Sequence, residues 1–133
     1  MSTIFYAQTK GELSTNSATP VDLPGLAVTI PGWSLRSNEA LVTVNIPNPY
    51  ATGQDFPGGV FIVAVNGTIQ DYPASFTYSN KTPESFCRVP LTLMTKVTLP
   101  QSAQAATIQV KWNGVRGSTV KLDSPASLSV QLF

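Results

Sequence analysis

The chain contains no histidine, a single cysteine and few charges: 11% of its residues are charged, less than half of the roughly 25% of an average soluble domain. Without histidine, no Ser-His or Cys-His nucleophile pair can be built within the chain. Zinc sites of the usual kind need histidine or several cysteines, so they are excluded too. Cys87 is alone, which forbids an internal disulfide and leaves packing to hold the fold. That suits synthesis under reducing conditions. Calcium wants roughly six to eight oxygen ligands, usually from clustered carboxylates. The seven acids here are scattered singly from Glu12 to Asp123 with no Asp-x-Asp spacing. No metal or other cofactor is therefore expected. No apolar run approaches the roughly 20 residues of a membrane helix, so membrane insertion is not expected. With 8 basic residues against 7 acidic ones and no basic stripe, nucleic acid is not an expected partner. The opening residues MSTIF show no basic stretch leading into an apolar one, hence no secretory signal. The expectation is synthesis in the cytoplasm, with release or surface display left to a non-classical route.

What is present points to strands. The 133 residues are 42% hydrophobic, enough for one domain over residues 1–133 with a core of its own. The scarcity of charge also suggests that other subunits cover part of the surface. Residues 40–46 read ALVTVNI, residues 59–65 read GVFIVAV before an Asn66-Gly67 turn, and residues 107–112 alternate Thr107, Gln109 and Lys111 with Ile108, Val110 and Trp112. Further strands are expected at 4–8, 26–30, 75–79, 89–99, 118–122 and 126–133, separated by Pro, Gly, Asn and Asp. No window carries a helical period. The pattern is that of an all-β sandwich or jelly roll. Residues 60–65 are apolar on both faces. One face belongs to the core, and the other must meet a loop, a third layer or another subunit, since an exposed apolar patch of that size is a liability.

Several residues could carry chemistry. Sugar hydrolases use two carboxylates, and Glu84 and Asp123 are the acids in polar segments near arginines. A turn cap or structural ion pair explains Asp123 equally well, and Asp55 and Asp71 fall in expected turns. Arg88 follows PESFC, and Arg116 lies in WNGVRGS, flanked by glycines. A guanidinium offers several donors in a rigid fork that matches vicinal hydroxyls, although composition alone favours surface arginines with ion pairs of their own. Asn66-Gly67-Thr68 and Asn80-Lys81-Thr82 match the glycosylation sequon but read as turns. Cys87 is expected to be a small buried hydrophobe. Trp33 and Trp112 could stack on a sugar ring, with core packing the plainer expectation.

Five pieces, taken together, resemble a known family. They are VDLPGL at 21–26, PYATGQDFP at 49–57, FTYSNKTPES at 76–85, VRGS at 115–118 and LDSPASLS at 122–129. In this order and at nearly this spacing they resemble the family of the N-terminal domain of the Burkholderia superlectin, a fucose-binding lectin with a tumour-necrosis-factor-like fold. The resemblance implies a jelly-roll sandwich assembled as a homotrimer, with metal-free sugar sites between neighbouring protomers. The implied partners are fucosylated glycans on host cells. Carried over by position, the sugar-binding residues would be Tyr50, Thr77, Tyr78, Ser85, Arg88, Arg116, Asp123 and Ser124. Phe86 stands inside that site where the family has a threonine. Val60 replaces a sugar-contacting tyrosine, Lys121 a histidine and Pro125 a tyrosine.

The expected function is thus a trimeric, non-enzymatic, fucose-binding lectin. In it Arg88 and Arg116 would donate to sugar oxygens and Asp123 would orient an arginine. Two alternatives stand beside it. One is a structural or receptor-binding trimer of the same fold that has lost sugar binding, favoured by Val60 and Phe86. The other is a glycosidase acting through Glu84 and Asp123.

Overall fold

The computed structural model describes residues 3–32, 38–100 and 104–132. Among the described residues twelve strands run in chain order: β1 (Thr3–Gln8), β2 (Leu13–Thr15), β3 (Val21–Ile30), β4 (Glu39–Ile46), β5 (Pro49–Thr52), β6 (Gly58–Val65), β7 (Thr68–Ile69), β8 (Ala74–Thr77), β9 (Leu91–Thr98), β10 (Ala106–Val115), β11 (Thr119–Leu122) and β12 (Ser127–Leu132). They form a four-stranded sheet in the order β1-β12-β4-β9 and a second sheet in the order β3-β10-β6-β7, to which β8 adds by pairing with β6. A small third sheet follows the order β2-β11-β5. Every pairing is antiparallel. The chain is an all-β, antiparallel protein of the sandwich type.

Period-two alternation decides which side chains fill the core. On β10, Ile108, Val110 and Trp112 are buried while Thr107, Gln109 and Lys111 stay half-buried. On β4 the buried set is Ala40, Val42, Val44 and Ile46, and on β12 it is Leu128, Val130 and Leu132. These side chains join Leu26, Val28, Ile30, Phe61 and Val63 in one continuous cluster. Phe61 and Trp112 meet there with ring centroids 6.2 Å apart. Trp112 is a core residue, and Trp33 lies outside the described residues.

The doubly apolar strand has a different explanation from a subunit interface. On the outward face of β6, Ala64 is 0% and Ile62 9% exposed within one chain. Ala64 is flanked by Gln109 and Ile69, and Ile62 is paired with Lys111, so neighbouring strands shield this face. Val60 alone of the three keeps intermediate exposure.

Some boundaries differ from the sequence expectation. Strand β3 starts at Val21 rather than at residue 26, because Pro24-Gly25 forms a bulge inside the strand and does not end it. Gly25 adopts φ 84° there. The Gln109 side-chain amide donates to the Leu23 and Leu26 carbonyls at 3.2 Å each, supplying partners where the ladder breaks. The short strands β2 and β5 were not expected. Strand β9 begins only after Val89 and Pro90, because Pro90 has no N–H for a ladder.

Among the described residues three buried polar side chains bond backbone groups, and two of them, Thr9 and Ser118, tie separate strand ends together. Thr9 receives the Ala126 N–H at 2.9 Å on its hydroxyl and returns its own N–H to the Ala126 carbonyl at 2.9 Å. The Asn113 amide donates to the Gly114 carbonyl at 3.1 Å. The Ser118 hydroxyl accepts the Gly58 N–H at 3.1 Å and donates to the Val115 carbonyl. A Cβ on Gly58 would overlap the Phe76 carbonyl oxygen, and one on Gly114 would overlap that of Ser118. Only glycine lets these backbones approach so closely. Ser118→Ala is expected to leave the Gly58 N–H buried without its partner. The cost should be about 1–3 kcal/mol, read by chemical denaturation as a lower midpoint at an unchanged slope.

Candidate sugar-binding site

The residues singled out by sequence sit where β6, β8 and β10 end, on the adjoining loops and on β5. They form two groups. The first is built on Arg88. Its guanidinium is ion-paired with Asp123, which follows β11 directly, and lies 3.9 Å above the centre of the Tyr50 ring. Its Nη1 also donates to the Phe86 carbonyl at 3.4 Å. Tyr50 points outward because β5 alternates, burying Pro49 and Ala51. At an exposed site an ion pair and a cation–π contact each add little to stability. Their value here lies in fixing the direction of the fork.

Tyr78 steadies the segment that carries Arg88. Its hydroxyl donates to the Cys87 carbonyl at 2.6 Å and accepts the Ala51 N–H at 3.3 Å, tying residues 86–88 to β5. The Val89 N–H adds a bond to the Pro49 carbonyl at 2.9 Å. The Tyr78 ring meets Phe76 edge-on at 5.8 Å and Phe86 at 6.2 Å. Burial pushes the Tyr78 phenol above its ordinary pKa, with the Ala51 N–H acting the other way. The hydrogen bond that the Arg88 guanidinium donates to the Asp123 carboxylate pushes its pKa up. Ser124 accepts a bond from the Asn48 amide at 3.1 Å. Ser85 is exposed on the same segment.

Arg116 organises the second group. It occupies a two-residue turn between β10 and β11, with φ 48° at Arg116 and 75° at Gly117, closed by the Ser118 N–H donating to the Val115 carbonyl at 2.9 Å. Positive φ at both central residues is the type I′ pattern, in which Asn, Asp or Gly is the usual first residue. An arginine there is unusual, and its side chain is well occupied. Nε donates to the Asp55 carbonyl at 2.9 Å and the Phe56 carbonyl at 3.1 Å. Nη2 donates to the Phe56 carbonyl and to the Thr77 hydroxyl at 3.3 Å. Phe56 is itself left-handed, with φ 46°. Arg116 therefore clamps a strained loop while its Nη1 takes no part in these bonds.

Thr77 and Tyr78 divide the two groups. The Phe76–Tyr78 ring contact places those side chains together, and alternation turns Thr77 the other way, toward Arg116. The Arg88 and Arg116 groups accordingly have separate sets of partners within one chain.

Three sequence expectations change or gain detail. Cys87 is exposed, not buried. It sits in a strandless segment between Pro83 and Pro90, and its carbonyl, not its thiol, is the group held against the protein by Tyr78. Phe86 packs its ring against Tyr78. Asn66-Gly67 is a hairpin turn of φ 49° and 83° between β6 and β7. The carbonyls of Asp55 and Phe56 were not anticipated as partners of Arg116, because a backbone acceptor leaves no mark in residue type.

Chemically, this is an assembly of fixed donors, hydroxyls and aromatic faces on an all-β frame, suited to recognising a polyhydroxylated ligand. Such assemblies are characteristic of carbohydrate-binding domains. The sequence pattern of the Bc2l-C N-terminal domain family matches residues 9–131, and the chain belongs to that family. Membership suggests a lectin-type function, a carbohydrate partner and no enzymatic activity. No curated protein sequence matches the chain significantly. Among solved structures, dimeric latent PorU from Porphyromonas gingivalis aligns with a TM-score of 0.44 at 18% identity, covering 96% of this chain but 13% of that one.

Because the folded state favours the protonated Tyr78 phenol, that contribution to stability is complete below the ordinary phenol value near 10 and is lost as pH rises through the folded value. Tyrosine ionisation followed by ultraviolet absorbance is expected to contain a component above pH ~10. Tyr78→Phe should remove it.

Proposed function

We propose that the chain is a lectin for fucose and fucosylated oligosaccharides, working without a metal as a homotrimer whose sugar sites lie between protomers. On this reading the sandwich is a jelly roll of the tumour-necrosis-factor-like kind, and the targets are fucosylated glycans on host cells. The observation that carries the proposal is the presence of two arginine groups on adjoining loops, each fixed by its own partners and neither closing around a pocket with the other. Arg88, aimed by Asp123 and Tyr50, donates to one side of the sugar. Arg116 of the adjacent protomer donates to the other. Thr77, Tyr78, Ser85 and Ser124 add hydroxyls, and Tyr50 and Phe86 add apolar surface for the sugar's C–H faces. Such a shallow polar site gives a Kd of roughly 1 μM to 1 mM, about −8 to −4 kcal/mol.

The trimer reading draws on the outer face of the β1-β12-β4-β9 sheet. Tyr6, Ser129, Thr43 and Met94 form one cross-strand row there, and Ile4, Gln131, Leu41 and Lys96 form another. Ile4, Tyr6 and Met94 are each at least 60% exposed. Charge is confined to the edge, where Lys96 is paired with Glu39 at 3.3 Å. An uncharged face with a few large apolar groups can be buried without stranding a charge.

A second reading has support of its own. Arg116 is already occupied by carbonyls of its own loop, and Val60 and Phe86 are apolar, as in a trimer that keeps the fold and binds no sugar. Calorimetry against free fucose separates the two readings, since binding excludes the second.

On a glycan array, fucosylated structures are expected to dominate the signal, and an array without a fucosylated hit overturns the specificity. Arg116→Ala should weaken sugar binding by about 10- to 100-fold or more, from 1.5–3 kcal/mol for a hydrogen bond to a charged group. Its sedimentation should stay unchanged. Wild type should sediment as three copies of the 14.2 kDa chain, and Met94→Lys should dissociate it. A monomeric wild type would refute the assembly.

A further inference from the structure

A second cleft lies at the end of the sandwich remote from the arginines. β6 runs from Gly58, which pairs with Thr77 and Val115, to Val65. β9 runs from Leu91, shortly after Arg88, to Thr98. At about 3.3 Å per residue, each of these eight-residue strands carries the chain roughly 23 Å from the arginine groups. There a cleft of about 370 Å³ opens between the β6-β7 hairpin and the end of β9. That volume lies within the roughly 300–1,000 Å³ of small-molecule sites. Val65, Leu99 and Pro100 give the cleft an apolar side, and Asn66, Thr68, Gln70 and Thr98 a polar one.

The polar side is half used by the fold, and the unused half faces no competitor. Asn66 Oδ1 accepts the Thr107 N–H at 2.8 Å, which leaves the Nδ2 group as a donor without a partner among the described residues. Gln70 Nε2 donates to the Thr68 carbonyl at 2.9 Å, which leaves Oε1 as an acceptor. The Gln70 N–H is itself held by the Val63 carbonyl at 2.9 Å, so the residue is anchored at both backbone and side chain. Thr68 and Thr98 add exposed residues whose hydroxyls donate or accept. Two amides and two hydroxyls thus sit on a frame fixed by the Asn66-Gly67 turn and by the Leu99 N–H, which donates to the Asn38 carbonyl at 2.6 Å.

This lining limits the ligand by elimination. No charged side chain lines the cleft among the described residues, and Glu39, opposite Thr98 in register, is already paired with Lys96 at 3.3 Å. An anion or a cation therefore finds no counter-ion there. A wholly apolar ligand would cover the free amide and hydroxyl groups without replacing their bonds to water. An extended peptide needs a ladder of backbone groups, but β7 is two residues long and the cleft meets only the last residue of β9. What remains is a small neutral molecule with hydroxyls on its rim and C–H groups on its face. We infer that this cleft is a second binding site, for a neutral hexose ring, in which Asn66 Nδ2 and the Thr68 and Thr98 hydroxyls donate, Gln70 Oε1 accepts, and Val65, Leu99 and Pro100 take the C–H face. The inference goes beyond the fucose reading and does not depend on it, since the two sites share no residue.

Amide NMR of the full chain tests the inference, with glucose, galactose and mannose as neutral probes and glucuronate as a charged one. At least one neutral hexose should move the signals of residues 65–70 and 98–100 saturably, with a Kd of about 1–10 mM. Glucuronate should bind there no more tightly than glucose. Gln70→Ala and, separately, Thr98→Val should each weaken the response about threefold to tenfold, the loss of one neutral hydrogen bond, and leave signals elsewhere in place. Both positions lie outside the core, and the two variants are read independently. No saturable movement at residues 65–70 and 98–100 with any of the three hexoses overturns the site. So does a response confined to Arg88 and Arg116, or one that survives both substitutions. Tighter binding of glucuronate overturns the selection for a neutral ring.

Discussion

From Val65 opposite Ile108 to Gly58 opposite Val115, β6 and β10 keep register along their whole shared length. One half of this ladder packs Phe61, Val63, Val110 and Trp112 into the core. Its other end is closed by the Ser118 hydroxyl, which receives the Gly58 N–H and fixes the turn that presents Arg116. The same end receives β8 on the far side of β6, bringing Thr77 opposite Gly58 and within reach of Arg116. The glycines at 58, 59 and 114 belong to this arrangement, because a side chain at any of them meets a neighbour at once. A loop site is exact only to the extent that its supports are rigid. Here the support is, with the β4–β9 pairing, one of the two longest unbroken ladders among the described residues, and apolar burial pays for it.

The alternation in residues 107–112 and 40–46 was legible because half-buried strands write their burial into residue type, and the core followed from it. Three features were not legible, each for a physical reason. Pro24-Gly25 reads as a strand break, yet Gln109 supplies hydrogen bonds across the gap and lets β3 run through a bulge. β2 and β5 are three and four residues long, too short to establish a period. The outward face of β6 looked in need of a partner. Sequence does not reveal that flanking strands bury Ala64 and Ile62 unaided. At the site, Arg88 and Arg116 could be singled out by type and setting. Their partners could not be ranked, because Asp123 lies 35 residues from Arg88 and the Asp55 and Phe56 acceptors are backbone atoms.

The two arginines are held in different ways, with different consequences. Arg88 is balanced by a carboxylate and backed by an aromatic ring, so its charge is neutralised and its geometry set by side chains. Arg116 has no such counter-ion among its hydrogen-bond partners; it is held by carbonyl dipoles and one hydroxyl. Carbonyls orient a guanidinium but leave its charge intact. Of the two, Arg116 is therefore the stronger donor toward an electron-rich oxygen, while Arg88 is the one fixed by a counter-ion and an aromatic face. The left-handed backbone at both Arg116 and Phe56 points the same way. Strain of order 1–3 kcal/mol per residue persists only where surrounding structure imposes it, and a clamp that consumes Nε and Nη2 leaves Nη1 at a set position.

That asymmetry bears on what loss of the family's hydroxyls does. If, as the resemblance implies, Val60 and Phe86 stand where the family has a tyrosine and a threonine, they remove neutral hydrogen bonds, each worth about 0.5–1.5 kcal/mol, whereas guanidinium bonds are worth about 1.5–3 kcal/mol. The substitutions also leave no buried polar group stranded: Phe86 gains an edge-on contact with Tyr78, and Val60 stays half-exposed in β6. On the proposed lectin reading, the expected result is a monosaccharide site that is weaker by about an order of magnitude but not abolished. The proposed trimer would tolerate such weakening. Sites held on one particle bind a glycan-dense surface with an avidity that can exceed the single-site affinity by roughly 10²–10⁴-fold. On that reading the geometry of the assembly matters more than the strength of any one contact.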